Sequence, residues 1–418
     1  MTTFTSLKNH VAVGNRGRRA LGALVLAGGL ALSGCASDDT GSSSTSQSVA
    51  TEASASGVSD GGDPSTDNGS TTTDETISAT AQAAEAFLAT LSVEQRDQVV
   101  YAYDDETKTT SWSNFPVTIV DRAGANLTDL TTEQRTAALA VLKGLLSDEA
   151  YATVSGIMGG DEFLRENAAN TDQIALGQYY IAFFGDPTDT GAWEVQFGGH
   201  HLGINATLNG TDDSITFAPT HLGAQPAVYT AADGTEVQPF DGIYTAAFAF
   251  YDSLTDEQRT KLYQGAEVKD LVCAPGSTCD FPTGTGLAGS DLDDEQKQLL
   301  LDLIGNWAGM SDEQTSAAAL DIIEASLDQT YVNWSGATAY DMTQGSGIYF
   351  QISGPDVYVE FANQPSSTGT DVSGVVTAGW GHIHTIYRDP TNDYAGSVEQ
   401  QAAAGMGGGT GGGMQPPA

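Results

Sequence analysis

Ile348-Tyr-Phe-Gln-Ile352, Ser353-Gly-Pro-Asp356 and Val357-Tyr-Val-Glu-Phe361 read as strand, turn and strand. Apolar and polar residues alternate on either side of a Gly-Pro-Asp turn, the signature of a hairpin with one buried face. Working outward, Trp193-Glu-Val-Gln-Phe197 and Leu202-Gly-Ile-Asn-Ala-Thr-Leu208 repeat the alternation, and Trp380-Gly-His-Ile-His-Thr-Ile-Tyr387 offers a further strand. Helices are marked by a recurring phrase: Leu91-Ser-Val-Glu-Gln-Arg96, Leu130-Thr-Thr-Glu-Gln-Arg135, Leu254-Thr-Asp-Glu-Gln-Arg259, Leu292-Asp-Asp-Glu-Gln-Lys297 and Met310-Ser-Asp-Glu-Gln314. Each puts Ser, Thr or Asp three residues before Gln, so each predicts a capping-box helix start. Glu94, Glu133, Glu257 and Glu295 recur for that reason and receive no chemistry. The copies lie 39, 124, 38 and 18 residues apart, which excludes a solenoid. The expected fold is α+β, with capped helices packed beside an antiparallel sheet or sandwich.

The chain begins with Lys8, Arg16, Arg18 and Arg19, then an apolar run from Ala20 to Leu32 that is too short to span a bilayer. It ends in Leu32-Ser33-Gly34-Cys35, which resembles a lipobox. The reading is a signal peptide over 1–34 and a lipidated Cys35 at the mature N-terminus, giving a membrane-anchored, extracytoplasmic protein. Arg18-Arg19 also fits a twin-arginine export signal. Residues 35–77 are rich in Ser, Thr, Gly and Asp and read as a disordered linker, and 399–418 as a disordered Gly/Met-rich tail. Met406 and Met414 in that tail read as incidental. A single globular domain is expected over 78–398.

Without the leader, 11 basic residues face 54 acidic ones, a net charge of −43. Such a surface repels nucleic acid and anionic membranes. No Asp-x-Asp-x-Asp-Gly calcium loop or phosphate loop is present, and the one Gly-x-Ser-x-Gly match, Gly57-Val-Ser-Asp-Gly61, falls in the Ser/Gly/Asp-rich linker rather than at a strand-to-helix elbow. Cys273 and Cys279 flank a Pro-Gly turn and, in an exported protein, read as a disulfide closing a surface loop.

Of six histidines, His10 lies in the leader; the rest fall at His200-His201, His221 and His382-x-His384. Imidazole is the commonest ligand for transition metals. His382 and His384, two apart on a strand, share a face and can reach one ion. His200 and His201 are adjacent and point oppositely on a regular strand, unless a bulge at Gly198-Gly199 turns both inward. His221, in Pro219-Thr-His-Leu-Gly-Ala-Gln-Pro226, is expected in a loop. The predicted centre is therefore His382, His384 and one of His200 or His201, with His221 close by, binding copper or zinc.

Around it, Asp389 or Asp393 is expected to orient an imidazole, Arg388 to pin a turn or bind an anion, and Glu194 or Asp393 to act as base on a metal-bound water. Met342 is a spare soft ligand. The ligand types resemble those of two-copper peptide-hydroxylating monooxygenases, with different spacing and no homology. Two function classes follow: a metal-dependent cell-surface enzyme, or a protein that captures a metal or ligand without turnover; the substrate stays open.

Trp112-Ser-Asn-Phe-Pro116, Tyr180-Ile-Ala-Phe-Phe-Gly-Asp-Pro187, Trp193-Glu-Val-Gln-Phe-Gly-Gly-His-His-Leu202 and His382-Ile-His-Thr-Ile-Tyr-Arg-Asp-Pro-Thr-Asn-Asp-Tyr394 together resemble the uncharacterised domain of unknown function 3500 family, over nearly all of residues 80–398. Tyr394-Ala-Gly stands where that family has Tyr-Gly. The resemblance implies the domain's extent and no activity.

Overall fold

The computed structural model describes residues 71–167, 176–265, 270–344, 347–364 and 379–403. The leader, Cys35, most of the expected linker, Met406 and Met414 lie outside them.

Among the described residues the helices are α1 (Thr73–Ala89), α2 (Val93–Val99), α3 (Thr107–Thr110), α4 (Thr132–Leu145), α5 (Asp148–Asn167), α6 (Asp241–Ser253), α7 (Asp256–Leu262), α8 (Asp294–Ala308) and α9 (Glu313–Ala325). The recurring phrase caps helices as its chemistry requires. Ser92, Thr131, Thr255 and Asp293 each accept from the backbone N–H of a Gln three residues on, whose side chain reaches back to the cap. The fifth copy is shifted by one: Asp312, not Ser311, caps α9 by accepting from Thr315. Thr72 and Glu75 form a further capping box at α1. The domain thus begins before residue 78, since the last residues assigned to the linker are helical. It also runs past 398: Ala403 is buried and its N–H donates to the Gly276 carbonyl.

The strands are β1 (Val100–Tyr101), β2 (Ala125–Asn126), β3 (Tyr180–Phe184), β4 (Ala192–Gly198), β5 (Leu202–Asn209), β6 (Ser214–Thr216) and β7 (Thr220–Ala224). After the small β8 (Tyr229–Thr230) and β9 (Glu236–Val237) hairpin come β10 (Leu287–Ala288), β11 (Tyr331–Gly336), β12 (Ile348–Ser353), β13 (Tyr358–Asn363) and β14 (Ile383–Arg388). Twelve of them form one sheet in the order β1-β3-β4-β5-β7-β14-β13-β12-β11-β10, with β2 on β3 and β6 on β5. The expected α+β class, with helices beside an antiparallel sheet, is what forms, with one refinement: β1 pairs parallel to β3, so the single sheet is mixed.

The order is palindromic because the chain folds as two copies of one motif. Gln134 joins the first pair of capping boxes by donating to Gln95 and to the Thr90 carbonyl; Gln296 does the same with Gln258 and the Ser253 carbonyl. Gly124 (φ 89°) and Gly286 (φ 103°) lie at equivalent crossings, where a Cβ would sit 2.0 Å from the carbonyl oxygens of Ile181 and Val332. The copies meet where β7 pairs with β14.

Alternation sorts the sheet into two buried faces. Trp193, Val195, Phe197, Leu202, Ile204, Phe350, Ile352, Val359 and Phe361 join the helices in the main apolar core. The opposite face is polar yet covered: Glu194, Gln196, Asn205, Gln351, Glu360, His221 and His384 are all nearly inaccessible. Residues 107–122 and 270–283 supply partners for it, among them Lys108, Ser111 and the Cys273 N–H, and residues 394–403 bind the first of these segments through Trp112–Tyr394 and Gln400–Thr109. A polar face can be buried only if its groups find hydrogen bonds, which these segments provide.

Candidate metal centre

The five histidines gather on the polar face where the two copies meet. His200 and His201 do not lie on a strand. They form the turn between β4 and β5, closed by Gly198 pairing with Gly203 and by a 2.9 Å bond from the Gly199 N–H to the Leu202 carbonyl. This removes the difficulty of adjacent side chains facing opposite ways. His221 sits in β7 rather than in a loop, opposite Ile386. His384 is in β14 and His382 just before it. The ring centres are 4.2 Å apart for His200–His201, 5.2 Å for His201–His382, 4.4 Å for His382–His384 and 5.6 Å for His221–His384.

Within this cluster His200, His201 and His382 each offer a nitrogen within 4.8 Å of the others. The Nε2 atoms of His201 and His382 face each other at 3.1 Å. His201 Nδ1 meets Asp161 Oδ1 at 2.5 Å, and Asp161 Oδ2 accepts from the Tyr179 hydroxyl at 2.5 Å. A carboxylate accepts only, so Nδ1 carries the hydrogen and Nε2 presents a lone pair. His384 Nδ1 lies 3.4 Å from Asp270 Oδ1 and 3.2 Å from the amide nitrogens of Asn114 and Gln364. His221 Nδ1 donates to the Thr385 carbonyl at 2.7 Å.

The turn is held from behind by Arg122. Its guanidinium donates to the carbonyls of Gly199, Ser113, Phe115 and Val120. Burial lowers its pKa to about 10. Burial likewise holds His200, His221 and His382 well below the usual imidazole value, with neighbouring rings adding to the effect, so these are neutral donors near pH 7. His382 is partly exposed, whereas His200, His201, His221 and His384 are at most 8% exposed. The approach to the cluster is on the His382 side.

Other expected roles fall elsewhere. Arg388 pairs with Asp393 (Nε–Oδ2 2.6 Å) and is only 2% exposed; Asp393 Oδ1 accepts the Asp389 N–H, and Asp389 closes the turn onto Thr391. The carboxylates that support the imidazoles are Asp161 and Asp270, not Asp389 or Asp393. Arg388 therefore pins a turn and offers no open anion site. Glu194 is not a base at the centre: it is buried in an ion pair with Lys108 (2.9 Å) and accepts from Thr207. Met342 packs at the edge of the apolar core. Cys273 and Cys279 form a disulfide, with Cα atoms 5.3 Å apart.

Sequence reasoning missed Asp161, Asp270, Asn114 and Arg122. Asp161 had a signal: it occupies the buried stripe Ala150, Val154, Ile157, Asp161, Leu164 of α5, where a lone acid requires a partner. Asp270 and Arg122 lie in irregular segments with no periodicity to read.

An α+β protein with a buried five-histidine cluster backed by carboxylates is thereby defined. The family model for Protein of unknown function (DUF3500) matches residues 73–396, and the chain belongs to that family. No curated protein and no solved structure matches it.

Proposed function

We propose that this protein is a lipid-anchored, extracytoplasmic metalloenzyme in which His200, His201 and His382 hold a copper or zinc ion. The observation that carries the reading is the convergence of three imidazole nitrogens within 4.8 Å of one another. Two nitrogens on a tetrahedral ion, each bonded at about 2.0–2.1 Å, lie about 3.3 Å apart. The 3.1 Å between His201 and His382 already meets that condition. An all-imidazole set suits copper and zinc and disfavours magnesium and calcium, which take oxygen. Three protein ligands leave a position for water or substrate, the arrangement of catalytic rather than structural zinc. Neutral ligands keep the full charge on the ion, which favours either a deprotonated zinc-bound water or copper redox chemistry. The partial exposure of His382 supports access.

The metal reading is tested on full-length protein purified without an affinity tag and reconstituted. Elemental analysis is expected to give at least one copper or zinc per chain, and a His200→Ala/His201→Ala/His382→Ala variant one ion fewer than the wild type. Equal metal in the two proteins overturns it.

The address rests on the basic start, the apolar run and Leu32-Ser33-Gly34-Cys35. Labelling with palmitate in cells should be lost in Cys35→Ala. Unchanged labelling rejects the anchor.

A further inference from the structure

We infer that the cluster holds a second ion, of the same copper or zinc class, between His221 and His384. The inference rests on the metal reading above and extends it from one ion to two.

His221 and His384 lie outside the set of three that meets within 4.8 Å, yet they are 0% and 4% exposed. Their Nε2 atoms, like His200 Nδ1, have no hydrogen-bond partner among the described residues. Leaving a buried polar atom unpaired is destabilising, and native proteins seldom accept that at neighbouring positions without a ligand. The tautomer sharpens the point. His221 Nδ1 touches a carbonyl oxygen, which can only accept, so Nδ1 carries the hydrogen and Nε2 is a bare lone pair. His384 Nδ1 lies 3.4 Å from the Asp270 carboxylate but 3.2 Å from the amide nitrogens of Asn114 and Gln364, so only the His221 tautomer is fixed by its partners. A bare lone pair on His221, with the unpartnered Nε2 of His384 beside it, calls for a cation.

The spacing fits one. An imidazole nitrogen bonds such an ion at about 2.0 Å. With the ring centre a further ~1.1 Å behind, two rings on one ion have centres about 5–6 Å apart. His221 and His384 stand at 5.6 Å. Room is left by Gly223, the residue opposite His384. A Cβ there would lie 3.0 Å from the Ile383 carbonyl oxygen, 3.2 Å from His201 Cδ2 and 3.3 Å from His221 Cε1, so a side chain would crowd the gap between His201 and His221.

Support for the imidazoles is also doubled: Asp161 stands behind His201 and Asp270 behind His384. Each is the carboxylate–histidine pair typical of a metal ligand. The remaining positions on the second ion would fall to solvent.

The experiment counts copper or zinc retained per chain after a weak-chelator wash, in the full-length wild type and in His221→Ala/His384→Ala. Two ions in the wild type and one in the variant are expected. Copper-loaded wild type should also show less electron-paramagnetic signal than its copper content, because adjacent Cu(II) ions couple. A wild type that saturates at one ion overturns the second site and leaves the first intact. Two ions in both proteins place the extra ion elsewhere and also overturn it. No metal in the wild type removes both readings. If the variant fails to fold, the wild-type count and spin decide alone.

Discussion

Asp161→Asn is expected to weaken metal binding by about 10- to 100-fold, the usual effect of losing a carboxylate behind a ligating histidine. Asp161 receives His201 Nδ1 on one oxygen and the Tyr179 hydroxyl on the other. Asparagine preserves the shape, but its neutral carbonyl polarises the imidazole less and makes Nε2 a poorer donor. Asp161→Ala should do more, leaving two buried donors unpaired and lowering stability by about 1–3 kcal/mol for each. Competition against a chelator of known affinity measures the first effect and urea unfolding of the apoprotein the second. Unchanged affinity in Asp161→Asn, with the fold intact, would show that His201 is not a ligand.

The largest expected change in stability comes from Lys108→Met. Lys108 and Glu194 are both 0% exposed and pair at 2.9 Å, and the ammonium also lies over the rings of Tyr103 and Phe184. Burial raises the Glu194 pKa, against the pull of Lys108, so desolvation is the term the pair must offset. Removing one partner of a buried pair typically costs about 3–5 kcal/mol, because the other is left charged and dry. Replacing both by apolar residues of similar volume is often neutral. Lys108→Met should therefore lose about 3–5 kcal/mol in urea unfolding, and Lys108→Met/Glu194→Met should recover most of it. A single variant within 1 kcal/mol of wild type would mean that Glu194 protonates or reaches water readily. The centre is also exposed to this change, because Lys108 lies in the segment that delivers Asn114 to His384.

The reason lies in how the site is placed. It occupies the polar face of the sheet, and that face is stable only while the crossing segments satisfy it. Glu360 shows the same logic at the far end: it accepts from the Val272 and Cys273 N–H groups and from the Tyr349 hydroxyl. The disulfide loop is thus tied to the sheet beside Asp270, and Asp270 is tied to His384. Fold and centre share one hydrogen-bond network.

By itself the sequence determined what short-range physics controls. Period-two alternation located β4, β5, β12 and β13, and Gly-Pro-Asp located the turn between the last two. The capping phrase located five helices, correct to within a residue, because a cap is satisfied by an atom three positions away. The scarcity of histidine marked all five members of the cluster. The near-equal spacings of 39 and 38 between paired phrases are the trace of the duplication, but which copies meet depends on the β7–β14 pairing. That pairing turned His221 from an expected loop residue into a strand residue facing His384. Only the tertiary structure brought His201 to His382 across 181 residues, Asp161 to His201 across 40 and Asp270 to His384 across 114. The buried stripe of α5 marks Asp161 as an acid that needs a partner, but which group it meets is fixed in space and not by its neighbours in the chain, and Asp270 leaves no local pattern at all. The same holds for Arg388, Asp389 and Asp393: close to the histidines in sequence, they turn inward to satisfy one another, and the carboxylates that support the imidazoles come from a helix and from the segment before the disulfide.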